Sequence, residues 1–272
     1  LPQPPGTKAE DPWRMSFGMI AVSSSDTNNL IWAPSFNRSP FYTRDLGINW
    51  KRVSLPGETL PFTGSHAALH LQRKTLVADP VEPATFYWWH SGDGDNPALL
   101  GLWKTTDGGE HWERVHDGAI APHHDKSAKL RAVPGRAGHL FFTSGVYGPF
   151  DTRLRHSSDG GRHWRALDID WVDDIAFGKP ARGGGHPTLF VAGRIDGRYG
   201  LWRSTDAAAS WQQIGRFPVG SLDQVTVMAG DPDVFGRVYL GFKGSGWVYG
   251  EPAPCHPAPY RFGDTRECVA IP

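Results

Sequence analysis

Four short stretches of the chain set aromatic rings among carboxylates and guanidiniums, close enough in sequence to act together. They are Trp88-Trp89-His90-Ser-Gly-Asp93-Gly-Asp95, Gly145-Val-Tyr147-Gly-Pro-Phe150-Asp151-Thr-Arg153, Asp168-Ile-Asp170-Trp171-Val-Asp173-Asp174 and Arg194-Ile-Asp196. Flat rings cover the C–H patches of a sugar, while charged groups bond its hydroxyls. Carbohydrate recognition is the chemistry that suits these residue types. The candidate contacts are Trp88, Trp89, His90, Asp93, Tyr147, Asp151, Arg153, Trp171, Asp173, Asp174 and Arg194. Plainer readings stand beside it. Trp88 and Trp89 either place at least one ring at a cleft or alternate in and out of a strand as packing. The acidic run Asp168, Asp170, Asp173, Asp174 suits a carboxyl of raised pKa, a Ca²⁺ ion or a solvated turn. His66, His70, His123 and His124 read as loop histidines, because no carboxylate spacing completes a ligand set beside them. No metal or cofactor is expected, and no catalytic residue can be named from these stretches.

The bulk composition narrows the partners. Lys+Arg and Asp+Glu both number 28 in the 272 residues. A formally neutral chain lacks the basic face that a nucleic acid requires, and it offers no polybasic handle to an anionic membrane. Twelve tryptophans are far more than a domain of this size usually carries. No apolar run approaches the ~18 residues of a membrane-spanning helix. The opening Leu1-Pro-Gln-Pro-Pro-Gly6 shows no basic segment followed by an apolar one, so it reads as a mature end, a linker or a cut. Cys255 and Cys268, the two cysteines, read as a disulfide pinning a C-terminal tail in a secreted protein, extracellular or periplasmic. The alternative is a pair of free thiols in a cytosolic one.

The elements that must position the candidate residues come from a repeat. Thr43-Arg-Asp-Leu-Gly-Ile-Asn-Trp50, Thr105-Thr-Asp-Gly-Gly-Glu-His-Trp112, Ser157-Ser-Asp-Gly-Gly-Arg-His-Trp164 and Ser204-Thr-Asp-Ala-Ala-Ala-Ser-Trp211 align without gaps. Their shared pattern, Ser/Thr-x-Asp-x-Gly-x-x-Trp, is an Asp box, and only Ala208 departs from it. The tryptophans stand 62, 52 and 47 residues apart, the spacing of four-stranded β-propeller blades with variable loops. Asp and Ser/Thr side chains accept bonds from a tight turn, and glycine allows a positive φ. Asp45, Asp107, Asp159 and Asp206 are therefore turn-formers, and Trp50, Trp112, Trp164 and Trp211 core plugs.

Short β runs flank each box, and no segment has a convincing helical period. A fifth unit, Gln224–Ala229, Arg237–Phe242 and Gly246–Tyr249, lacks a box and looks incomplete. The expected fold is an all-β propeller of about five blades, part of a seven-bladed ring. Residues 1–15 form an extension or linker, 16–251 the propeller and 252–272 a tail. Five units leave sheet edges exposed unless further blades cover them.

The segments between boxes carry a family resemblance. Ser16-Phe-Gly-Met-Ile-Ala-Val-Ser23 followed by Leu30-Ile-Trp-Ala-Pro-Ser35 resembles a blade in the C-terminal propeller of glycoside hydrolase family 74, the xyloglucan-cleaving enzymes. Val77-Ala-Asp-Pro-Val-Glu-Pro-Ala-Thr-Phe-Tyr87 is similar to the next blade, with Pro80 where arginine is usual. Gly230-Asp-Pro-Asp-Val-Phe-Gly-Arg-Val-Tyr-Leu-Gly241 with Gly244-Ser-Gly-Trp-Val-Tyr-Gly250 is similar to the propeller's end, Ser245 and Trp247 departing from it. The resemblance implies one of two tandem seven-bladed propellers that clamp a glucan, each giving one catalytic Asp for hydrolysis with inversion. Carboxylates set well apart suit inversion, because a water must fit between them. By this alignment neither catalytic Asp lies in the chain. What is expected is one wall of the glycan cleft of a xyloglucan- or β-glucan-hydrolysing enzyme, completed by missing blades or a second propeller of the same precursor. The rival is a non-catalytic Asp-box propeller that binds glycans or a protein.

Overall fold

The computed structural model describes residues 18–34, 37–66, 74–92, 94–117, 128–144, 153–216, 224–252 and 260–262. They form five antiparallel sheets of four strands, each sheet built from strands consecutive in the chain. Blade 1 holds β1 (Gly18–Val22), β2 (Leu30–Pro34), β3 (Phe41–Thr43) and β4 (Lys51–Arg52). Blade 2 holds β5 (Leu76–Ala78), β6 (Phe86–His90), β7 (Gly101–Thr105) and β8 (Glu113–His116). Blade 3 holds β9 (Lys129–Ala132), β10 (Leu140–Thr143), β11 (Arg155–Ser157) and β12 (Arg165–Ala166). Blade 4 holds β13 (Trp171–Gly178), β14 (Thr188–Ile195), β15 (Arg198–Ser204) and β16 (Gln212–Gly215). Blade 5 holds β17 (Val225–Gly230), β18 (Val238–Phe242), β19 (Trp247–Pro252) and β20 (Tyr260–Phe262). This is the all-β propeller architecture expected from the repeat. The fifth sheet is complete, because β20 pairs with β19 inside the segment expected to be a tail. Cys255 and Cys268 lie outside the described residues.

The chain divides into two compact units, residues 1–151 with 155–165 and residues 152–154 with 166–272. In the first unit, β1, β5 and β9 adjoin one another in order. Blade 2 is buried on both faces, and strand alternation decides which residue meets which neighbour. Phe86 and Trp88 join Met19, Ile31, Tyr42 and Val53 of blade 1 in one apolar cluster. Tyr87 and Trp89 join Leu130, Leu140 and Phe142 of blade 3 in another. In the second unit β13 lies beside β17, and Phe190, Ala192 and Leu201 pack on Val225, Met228 and Leu240.

Each Asp box closes the turn before the last strand of its blade. In the third, the Ser157 hydroxyl donates to Asp159 Oδ1 (2.8 Å) and accepts from Gly161 N (2.9 Å), while His163 N donates to Asp159 Oδ1 (3.0 Å). The other three repeat this scheme, with the residue four beyond the Asp supplying the same backbone bond. The box glycine has φ of 83°, 106° and 86° at Gly47, Gly109 and Gly161, and Ala208 takes the same left-handed region at 70°. Left-handed geometry is only half the reason for glycine. A Cβ at Gly161 would lie 2.1 Å from Leu102 Cδ2 of blade 2, and one at Gly109 2.9 Å from Tyr42 Cβ of blade 1. Trp112 is in the core as expected; Trp50, Trp164 and Trp211 are half-buried.

Two Asp-Pro turns were not singled out from the sequence. Asp79 Oδ1 accepts from Val81 N and Glu82 N, and its Oδ2 accepts from the Tyr87 hydroxyl and from Gly138 N of blade 3. Asp231 repeats the clasp with Asp233 N, Val234 N and the Tyr239 hydroxyl.

Candidate functional site

Three of the candidates, Trp171, Asp173 and Arg194, come together at the end of blade 4 away from its Asp box. Asp196-Gly197 form a two-residue hairpin turn with φ of 51° and 71°, the left-handed pair that such a turn requires. That turn fixes the register, pairing Arg194 with Tyr199 on one side and with Trp171 on the other. Directly paired residues point to the same face of a sheet. Trp171, Arg194 and Tyr199 therefore stand in one row across three strands. Tyr199 to Ser204, where the box begins, is roughly 17 Å of extended strand at ~3.4 Å per residue.

The row has a defined internal geometry. The Arg194 guanidinium lies over the Trp171 indole, Cζ 4.8 Å from the ring centroid, while the arginine remains exposed. The Tyr199 ring meets that indole edge-on at 5.7 Å and 65°. A bulge between Val172 and Asp174 sets Asp173 apart from the ladder, and the Tyr199 hydroxyl donates to Asp173 Oδ2. Burial and the adjacent Asp173 carboxylate raise the Tyr199 phenol, so it stays a protonated donor. Trp171 Nε1 is buried and has no acceptor among the described residues. Arg194 thus presents guanidinium N–H groups held in place by stacking, while Trp171 Nε1 and the Asp173 carboxylate are buried behind it. The guanidinium can bond the hydroxyls of a polyol while an aromatic edge takes its C–H groups.

Several expectations are corrected. Trp88, Trp89 and His90 are fully buried, so none offers a face to a ligand. Trp88 packs against His66 and Trp112, and Trp89 stacks on Phe142 at 3.9 Å. The strand is covered on both sides, so alternation moves each ring from one neighbour to the other and never into solvent. Asp173 and Asp174 are buried too, so neither offers a carboxylate to a ligand; the Asp174 carboxylate accepts from Ile175 N (2.8 Å) and from Met228 N of blade 5 (2.9 Å), a structural duty. His66 sits on a loop as expected but is buried. Asp168, Asp170 and Arg153 are exposed, and Asp170 Oδ2 accepts from Gly197 N across the hairpin turn. Asp93, Tyr147, Asp151, His70, His123 and His124 lie outside the described residues. No group of three or more metal-ligating side chains occurs among the described residues. Tyr199 was missed, although the Asp-Gly pair between two β runs would have placed it opposite Arg194.

Comparison with known proteins puts the chain in context. No protein-family model matches it. It is 33% identical over 260 residues to a xyloglucanase of Acetivibrio thermocellus, covering 94% of this chain and 26% of that enzyme. It is 31% identical over 238 residues to a xyloglucanase of a Paenibacillus species, covering 86% of this chain and 20% of that enzyme. Among solved structures it is similar to the glycoside hydrolase family 74 xyloglucanase of Xanthomonas campestris, with a TM-score of 0.64 and 27% identity. That match covers 86% of this chain and 29% of the other. The chain spans about a quarter of the length of the curated relatives it matches. It is a propeller portion related to the glycoside hydrolase family 74 xyloglucanases.

Proposed function

We propose that the chain forms one wall of a glycan cleft in a secreted xyloglucan- or β-glucan-hydrolysing protein, with the catalytic carboxylates supplied from outside it. The row Trp171, Arg194 and Tyr199 carries this reading, because it brings an exposed guanidinium and aromatic edges to one strand end opposite the Asp box. Bare apolar faces support the further blades it requires. Ile20 and Val22 on blade 1 are 54% and 42% exposed, and Val227 and Trp247 on blade 5 are 51% and 70% exposed.

Arg194 lies on the indole face that a sugar ring would otherwise use. Calorimetric titration of the chain with xyloglucan oligosaccharides tests the site. Binding is expected, with Arg194→Ala weakening it at least tenfold at unchanged melting temperature. Absence of binding, or equal affinity in the variant, overturns the assignment. Reducing ends released from xyloglucan by the chain alone would contradict carboxylates supplied from outside.

A further inference from the structure

The second and third Asp boxes each meet the preceding blade, but the two junctions are filled differently. The strand registers pair Leu30 with Thr43 and Phe86 with Thr105. The residues just outside these pairs therefore correspond, Asn29 to Thr85 and Arg44 to Thr106. Where box 2 meets blade 1, long side chains occupy the junction. Arg44 Nη2 donates to Asp107 O and to Glu110 Oε2 (3.1 Å), and Asn29 Nδ2 donates to Gly108 O (3.0 Å). Where box 3 meets blade 2, the shorter threonines stand in their place. Among the described residues no side chain bonds Asp159 O or Gly160 O, the counterparts of those two carbonyls. What is left is an open cavity of about 510 Å³ on the Asp-box end of blades 2 and 3. Sites for small ligands run from ~300 to ~1,000 Å³.

The lining is polar, and much of it has no partner in the protein. Lys104 Nζ lies 5.8 Å from the Tyr87 ring centroid and has no carboxylate partner among the described residues. Glu82, exposed at the cavity, has no cation partner among them, and the Thr106 and Ser158 hydroxyls make no bond there. The Asp159 carboxylate is held by its own box, through Ser157, Arg162 N and His163. Tyr87 is buried beneath, its hydroxyl donated to Asp79. Glycine keeps the space open: a Cβ at Gly160 would stand 3.6 Å from both Lys104 Nζ and the Tyr87 hydroxyl.

These groups select the ligand. An ammonium donates, a carboxylate and a main-chain carbonyl accept, and two hydroxyls do both. Lys104 opposes Glu82, so the cavity has no single sign with which to choose an ion, and it offers no exposed ring face to an apolar molecule. A ligand whose every polar group both donates and accepts matches it. We propose that this cavity is a binding site for a neutral oligosaccharide, whose hydroxyls donate to Gly160 O and Glu82 and accept from Lys104. It belongs to blades 2 and 3 and to their Asp-box end, whereas the Arg194 row is at the end of blade 4 away from its box. It therefore stands independently of the function assigned to that row.

Amide NMR shifts of the whole chain titrated with cellotetraose read the two places separately. Saturable shifts are expected at the Thr106, Gly138, Ser158 and Gly160 amides, with a Kd of about 1 mM or below. Thr106→Arg sets a guanidinium where Arg44 stands in the preceding junction, so it should plug the cavity and weaken binding there at least tenfold. Lys104→Met removes one donor with little change in bulk and should weaken it about threefold or more, at unchanged melting temperature. Neither variant should alter shifts at the Trp171 and Arg194 amides. No saturable shift at the four amides overturns the site, whatever Trp171 and Arg194 do. Undiminished affinity in the folded variants overturns its location. A lower Kd for sodium sulfate or ethylammonium chloride at these amides overturns the neutral class.

Discussion

Gly161→Ala separates the two reasons for a glycine in the Asp box. The left-handed φ of 86° is disfavoured for alanine by about 1–2 kcal/mol. The second cost is contact. The new methyl would stand 2.1 Å from Leu102 Cδ2 and 3.5 Å from Leu140 Cδ1, and both leucines are fully buried. Leu102 must leave its rotamer or push blade 2 away, and overpacking of this kind costs about 1–3 kcal/mol. The expected loss is thus about 2–5 kcal/mol. Gly135→Ala is the control, since its φ is 71° and nothing lies within 4 Å of a Cβ there. It should lose only the backbone part. Urea unfolding followed by tryptophan fluorescence gives both values, provided the m-value is unchanged. Adding Leu102→Ala to Gly161→Ala should recover about 1–2 kcal/mol relative to additivity, since the two changes share one space. If Gly161→Ala costs no more than Gly135→Ala, or the pair is additive, the interlocking of blades 2 and 3 at this glycine is refuted.

Two further outcomes follow from the boxes. Ala208→Gly relieves an alanine held at φ 70° and should raise the urea midpoint, by about 0.5–1 kcal/mol in free energy; an unchanged or lower midpoint contradicts the strain. The Ser210 hydroxyl and backbone N–H, with Ser204, hold Asp206 down at about 2. A carboxylate whose folded pKa is depressed stabilises the fold above the unfolded value near ~3.9, and that support fades as pH falls through the folded one. The urea midpoint should therefore drop between pH 4 and pH 2, and drop less in Asp206→Asn; equal drops would sink the argument.

The architecture was legible because the box repeats: a Ser/Thr hydroxyl, an Asp and a Trp at fixed spacing identify the same turn four times. The fourth strand of blade 5 was not, since Tyr260–Phe262 is three residues long and carries no turn signal the sequence reading used. Trp88 and Trp89 show a limit of period-two reasoning. Alternation tells two faces apart, but a blade between two others buries both, so Phe86–His90 looks apolar throughout and hides nothing polar to mark an outside. Asp173 and Asp174 show another. Adjacent acids in sequence are separated in role by a bulge, one meeting Tyr199 and the other Met228 N of the next blade. The His66–His90 contact joins a loop residue to the last residue of β6, 24 positions further on, a meeting that no local pattern announces.

The contact between a box glycine and its neighbour also bears on how such chains can be shuffled. Gly109 fits against Tyr42 and Ile31, whereas Gly161 fits against Leu102. Each is a keyhole whose key is carried one blade earlier, and the keys differ in shape. A blade copied or moved by recombination would bring its keyhole to a foreign key. The fourth box, with Ala207 and Ala208, could not replace the third without driving a methyl into Leu102. Copies that began as interchangeable modules become bound to a fixed order once these pairs diverge. Engineering by blade exchange should therefore cut each module after its key and before the next keyhole, transferring the matched pair together.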